Sequence, residues 1–346
     1  MRAFAFGVLL AFAGLPACTC EKQAPNTDTV ADKTTPKTTQ EPAHKPNDTK
    51  PLIDLPELAY MPAEAELVAH VDIQRLLESP LWHANHGLMT DDPEARRTLD
   101  ALTKCELGLD TLRTLDLAVD SRGQRVIASL QGAGIGDEER LKCVGDTLFK
   151  GDESRWTTAT VAGETTIRLD GGAAIGHIVA NDRLVFASSD WDAALRERIS
   201  GGGRSPATGP LGEALLALKT DRSIWFAGRL PMLRGQAENL RSLSGAVDLD
   251  SGLALELSMV AASPKLANEI SAEMKRRLGN MRTRLKEAKL PEAALERIEL
   301  EVEASTVRMR ASLEIAEITA LRTLLTRSKT PPPVAQKTVI SPSTAP

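Results

Sequence analysis

A repeated grammar of strand, hairpin and helix constrains this fold more than any other feature of the sequence. Glu66 to Ile73 alternates, placing Leu67, Ala69, Val71 and Ile73 on one face and His70 and Asp72 on the other, as a half-buried strand does. A helical turn follows over 74–78. Asp92-Pro93-Glu94 supplies an N-cap with proline at the first helical position, opening a helix that runs to Cys105. Residues 115–120 and 125–130 form two strands about the turn Ser121-Arg122-Gly123, and 137–149 form a helix. Four strands come next, at 156–161, 165–169, 174–179 and 184–187. Ser189-Asp190-Trp191-Asp192 has the spacing of a capping box and opens a helix to Ile199.

Glycine, serine and proline then cluster at Gly201-Gly202-Gly203-Arg204-Ser205-Pro206, which marks a boundary. Beyond it lie a short helix at 211–219, a strand at 224–227, a helix at 232–243 and a hairpin over 246–260 through Asp250-Ser251-Gly252. Ser263-Pro264 caps a long helix to about Ala288, 298–303 and 307–313 form another hairpin, and 318–325 is a closing helix. Both halves read strand, helix, hairpin, helix, hairpin, helix, with an additional strand pair in the first. The expected class is α+β, with antiparallel sheets carrying helices on one face, in two similar subdomains related by internal duplication. The expected divisions are a leader at 1–17, a modified cysteine and disordered tether at 18–54, subdomains at 55–200 and 211–327 joined by a linker at 201–210, and a disordered tail at 328–346.

The N-terminal part of the chain carries an address. Arg2 precedes an apolar stretch from Ala3 to Gly14, about a dozen residues where a membrane span needs about 20. The stretch ends in Leu15-Pro16-Ala17-Cys18, which resembles a bacterial lipobox: an aliphatic residue, a tolerant position, a small residue, then cysteine. That resemblance implies acyl chains on Cys18 and cleavage before it. One acyl chain anchors only marginally at about 0.8 kcal/mol per buried methylene, whereas two or three hold firmly. Thr19 follows where an aspartate would retain the protein at the inner membrane, so the resemblance implies the outer membrane. Residues 19–50 are rich in Thr, Pro, Lys and Asp and cannot offset the entropy of ordering; a coil of that length reaches about 30 Å.

Composition narrows the function classes. The net charge is −5 and aromatic residues make up 3% of the chain, so neither the basic excess nor the stacking platforms of a nucleic-acid binder are present. Cys20 is a poorer match to the lipobox than Cys18; the other two cysteines are Cys105 and Cys143, and export implies a disulfide between them worth about 3 to 4 kcal/mol for a loop of roughly 40 residues. His83 and His86 stand at i, i+3 without an accompanying HExxH pattern, and His44, His70 and His177 are scattered, so no metal site is expected. GGGRS lacks the lysine of a phosphate-binding loop, and no G-x-S-x-G elbow occurs, so no catalytic residue or cofactor site is assigned. The 265–288 helix has an apolar stripe at Leu266, Ile270, Met274, Leu278, Met281 and Leu285. Beside it, Lys275, Arg276, Arg277 and Arg282 form a basic surface suited to an anionic head group or an acidic envelope protein.

With the lipobox, the polar tether and the phrase YMPAEAELVAHVDIQRLLESPLW together, the chain resembles envelope lipoproteins of myxobacterial type over Tyr60 to Trp82. The resemblance implies a lipid-anchored, non-enzymatic domain that binds or organises an envelope partner, and it carries over no catalytic residue. An envelope-polymer hydrolase would require a deep cleft with converging carboxylates. A lipid carrier would require a wide apolar cavity between sheet and helices.

Overall fold

A computed structural model of the protein divides into residues 1–54 and residues 55–346. It describes residues 55–87, 92–120, 124–161, 164–229, 240–287 and 293–318. The leader, Cys18, the tether, the tail, His44 and the closing helix beyond 318 lie outside the described residues.

Twelve strands form one sheet. They are β1 (Leu67–Asp72), β2 (Leu112–Asp120), β3 (Arg125–Gly132), β4 (Trp156–Val161), β5 (Glu164–Leu169), β6 (Ala174–Ala180), β7 (Arg183–Ser188), β8 (Ile224–Gly228), β9 (Leu240–Asp248), β10 (Leu253–Ala261), β11 (Ile298–Glu303) and β12 (Thr306–Leu313). Their order is β11-β12-β10-β9-β8-β1-β2-β3-β7-β6-β5-β4, and the neighbouring pairs are antiparallel. The expected antiparallel α+β architecture is what forms, but as one sheet: β1 bonds directly to β8, with Val68 opposite Ala227 and His70 opposite Trp225. Each strand would otherwise leave a row of unpaired amides and carbonyls, so pairing removes two edges. The 201–210 segment lies against this body, with Pro206 buried and Leu211, just after it, fully buried.

Eight helices accompany the sheet among the described residues. They are α1 (Ile73–Glu78), α2 (Pro80–Asn85), α3 (Pro93–Lys104), α4 (Glu138–Leu148), α5 (Asp192–Ile199), α6 (Gly212–Leu216), α7 (Pro264–Glu287) and α8 (Ala293–Glu296). Asp92 caps α3 through the amides of Glu94 and Ala95, and Asp137 caps α4 through those of Glu139 and Arg140. Each cap satisfies donors that no helical carbonyl can reach. The disulfide Cys105–Cys143 ties the end of α3 to α4, with 5.7 Å between its Cα atoms.

Both faces of the sheet are covered, which corrects the expectation of helices on one face. One face buries Val68, Ala118, Ile127, Trp225 and Ala227 beneath Leu58, Met61, Trp191, Leu195, Leu211 and Leu215, so residues 55–65, α5 and α6 lie over its centre. On the opposite face α7 packs through Ala267, Ile270 and Met274 on Met259, Val307 and Leu300. There too Glu138 of α4 accepts a hydrogen bond from Thr165, and Gly145 of α4 meets the Trp156 ring. Because β1 is sandwiched, His70 is buried rather than solvated.

Other local expectations shift. Strand β9 begins at Leu240, inside the segment expected as a helix over 232–243, because its register with β8 and β10 places Leu243, Gly245 and Val247 in the sheet. Ser189–Trp191 is a short 3-10 turn leading into α5, and no side chain caps either.

Candidate functional site

The alternation of β1, β2, β3, β6, β7 and β8 lines up one cross-sheet row: His177, Val185, Ser129, Asp116, His70 and Trp225. In it His70 Nδ1 lies 2.6 Å from Asp116 Oδ1, with both side chains buried. The imidazole stacks on Trp225 at 5.4 Å between centroids. Burial pushes the Asp116 carboxyl above its ordinary range; the hydrogen bond and charge of His70 and the charge of Arg183 pull it down without cancelling that, and Glu57 adds to the rise. Ser129 Oγ and Trp225 Nε1 are buried without a hydrogen-bond partner.

A serine, an aspartate and a histidine in one row invite comparison with a nucleophilic triad, and the order rules it out. Activation of serine requires histidine between serine and aspartate. Here Asp116 stands between Ser129 and His70, and at about 4.8 Å per strand the serine and histidine are roughly 9.6 Å apart. The row is buried under residues 55–65, α5 and α6.

A second pair stands at the other end of the row. His177 Nε2 lies 2.6 Å from Asp192 Oδ1 at the start of α5, and Arg196 Nε donates to Asp192 Oδ2 at 2.9 Å. Burial raises the Asp192 carboxyl, but the hydrogen bonds from Arg196 and His177 outweigh it and hold the group below its ordinary range. Asp116 and Asp192 were missed as partners because they are 46 and 15 residues from their histidines. A signal for Asp116 existed: a carboxylate inside the apolar run Leu115-Asp116-Leu117-Ala118-Val119 needs a buried partner.

Elsewhere an open cleft of about 380 Å³ is lined by Glu64, Asp190 and Glu197 and by Arg125, Arg198 and Arg204. Two of these arginines are engaged: Arg125 Nε donates to Asp120 at 2.8 Å, and Arg198 donates to the carbonyls of Gly202 and Gly203.

His83 and His86 are exposed around the end of α2, where His86 Nδ1 contacts the His83 carbonyl at 3.1 Å. Among the described residues no three His, Cys, Asp or Glu side chains come together to hold a metal ion. No described helix is long and apolar enough to cross a membrane. On α7, Arg276 and Arg277 both donate to Glu273 at 2.7 Å, and these hydrogen bonds hold its carboxyl down to about 2. Lys275 and Arg282 are exposed beside them.

No family model matches the chain, and no curated protein matches it. Among solved structures, crystal form III of TP0453 aligns with a TM-score of 0.51 at 10% identity, covering 77% of this chain and 97% of that one. Crystal form I of TP0453 aligns with a TM-score of 0.47 at 12% identity, covering 79% and 98%. At this identity the likeness to crystal form III is one of fold alone.

Proposed function

We propose that this chain is exported, cleaved before Cys18 and held at a membrane by acyl chains on that cysteine. Its folded part then binds or organises an envelope partner rather than catalysing a reaction. The observation that carries this reading is Leu15-Pro16-Ala17-Cys18 at the end of a charged, apolar leader too short to span. The Cys105–Cys143 disulfide supports passage into an oxidising compartment. Thr19 favours the outer membrane over the inner one. One His–Asp pair lies within the sheet and the other ties β6 to α5, so both hold the fold together, which favours a scaffold over an enzyme.

The two halves also fit an internal duplication. Outward from the β1–β8 junction the strand order is β1, β2, β3, β7, β6 on one side and β8, β9, β10, β12, β11 on the other. A helix on the same face, α4 or α7, precedes the last hairpin in each half. Strands β5 and β4 extend the first half at its edge.

The anchor is tested by fractionating cells that carry Cys18→Ser. The expected result is a variant chain that either keeps residues 1–17 or, if cleaved, is released without acyl mass, whereas the natural chain starts at an acylated Cys18 and stays bound until detergent is added. A variant cleaved before position 18 and retained on membranes like the natural chain would overturn the reading.

A further inference from the structure

The sheet ends in two edges that are built differently. At one end β11 exposes Glu299, Glu301 and Glu303 at alternate positions, with Glu301 and Glu303 paired to Arg310 and Arg308 of β12. The same edge of another copy, laid antiparallel on it, would set glutamate against glutamate, and like charges directly opposite weaken a strand pair. At the other end β4 reads Trp156-Thr157-Thr158-Ala159-Thr160-Val161, with no charge, proline or glycine in its six residues. Thr157, Thr158, Ala159 and Thr160 are exposed, and among the described residues no strand lies on the outer side of β4.

Half of the amides and carbonyls of an edge strand point away from its neighbour, so β4 presents a preformed row of donors and acceptors. Its threonines are β-branched and suit an extended, paired backbone. A threonine pair already stands beside this edge: Thr160 Oγ1 and Thr165 Oγ1 lie 3.1 Å apart across β4 and β5. A two-fold axis normal to the sheet at Thr158 sets two copies of β4 antiparallel, which continues the pattern of the sheet. Thr158 then faces the partner's Thr158, and Trp156 faces the partner's Thr160. An edge without charge has nothing to select an ionised peptide and nothing to repel its own copy. A second copy also arrives already extended, whereas a free peptide must be ordered as it binds.

We propose that two copies of this chain join edge to edge through β4, in a two-fold dimer whose further growth the glutamates of β11 prevent. One strand pair buries less than a standard interface of about 800 Å² per partner, so the association is weak and concentration-dependent. It does not rest on the anchor at Cys18.

The test is sedimentation equilibrium of the full chain carrying Cys18→Ser, so that no acyl chain contributes, from micromolar to millimolar concentration. A monomer–dimer equilibrium is expected. Thr158→Lys sets two ammonium groups opposite each other in the dimer and leaves them solvated in the monomer, so it should weaken association about fivefold with unchanged thermal melting. Thr158→Glu should do the same, and mixing the two variants should restore association at least to that of the parent chain. A parent chain that stays monomeric throughout would overturn the proposal and leave the edge to another protein or to a further segment of this chain. So would a dimer that neither variant weakens, or a mixture that associates no better than its components.

Discussion

His70 and His177 stand in the same cross-sheet row, each holding an aspartate at 2.6 Å, yet the two carboxyls, Asp116 and Asp192, shift in opposite senses. Burial first, and the Glu57 charge with it, raise Asp116 despite His70 and Arg183. A carboxyl raised in the folded state contributes stability below its unfolded pKa of about 3.9 and loses it as pH climbs through the folded value. Asp192 is lowered, so its contribution is present above the unfolded pKa and is lost as pH falls through the folded value. Relative to the natural chain, Asp116→Asn should therefore gain stability as pH rises above about 3.9, and Asp192→Asn should lose it as pH rises from acid up to about 3.9. Thermal denaturation of both variants across these ranges checks this, and slopes of the same sign would contradict it.

At the scale of elements, packing overrides propensity in α4. Alanine in place of a helical glycine ordinarily stabilises by about 1 kcal/mol. At Gly145 the added methyl would run into the Trp156 ring of β4, so Gly145→Ala should destabilise by about 1–3 kcal/mol in urea unfolding. Trp156→Leu in the same chain should recover part of that loss. A simple gain in stability from Gly145→Ala would show that α4 does not sit against β4 as described. The same contrast explains what could be read beforehand. Local signals placed α3 and α7, since Asp92 and Ser263 cap them as their sequences suggest. Non-local pairing decided the rest. The start of β9 follows from its neighbours β8 and β10, and Asp192 serves His177 rather than a capping box.

Across the whole molecule, the alternation of β1 was legible but its environment was not. Period-two patterning separates Leu67, Ala69 and Val71 from Val68 and His70, and only the three-dimensional order of strands shows that both sets are covered. The antiparallel hairpins β2–β3, β9–β10 and β11–β12 were also legible, whereas the β1–β8 bond that joins the strands into one sheet leaves no local mark. Trp225 and Ser129 could not be recognised as neighbours of a buried His–Asp hydrogen bond for the same reason. The location proposed for this sheet rests on residues before it in the chain, the lipobox-like Leu15-Pro16-Ala17-Cys18.

The intact mass of the protein extracted in detergent from its native membranes tests that claim most directly. A mature chain starting at Cys18, heavier than its sequence by a diacylglyceryl group with or without an amide-linked acyl chain, is the result expected. A chain that retains residues 1–17, or starts elsewhere without added acyl mass, would contradict the account.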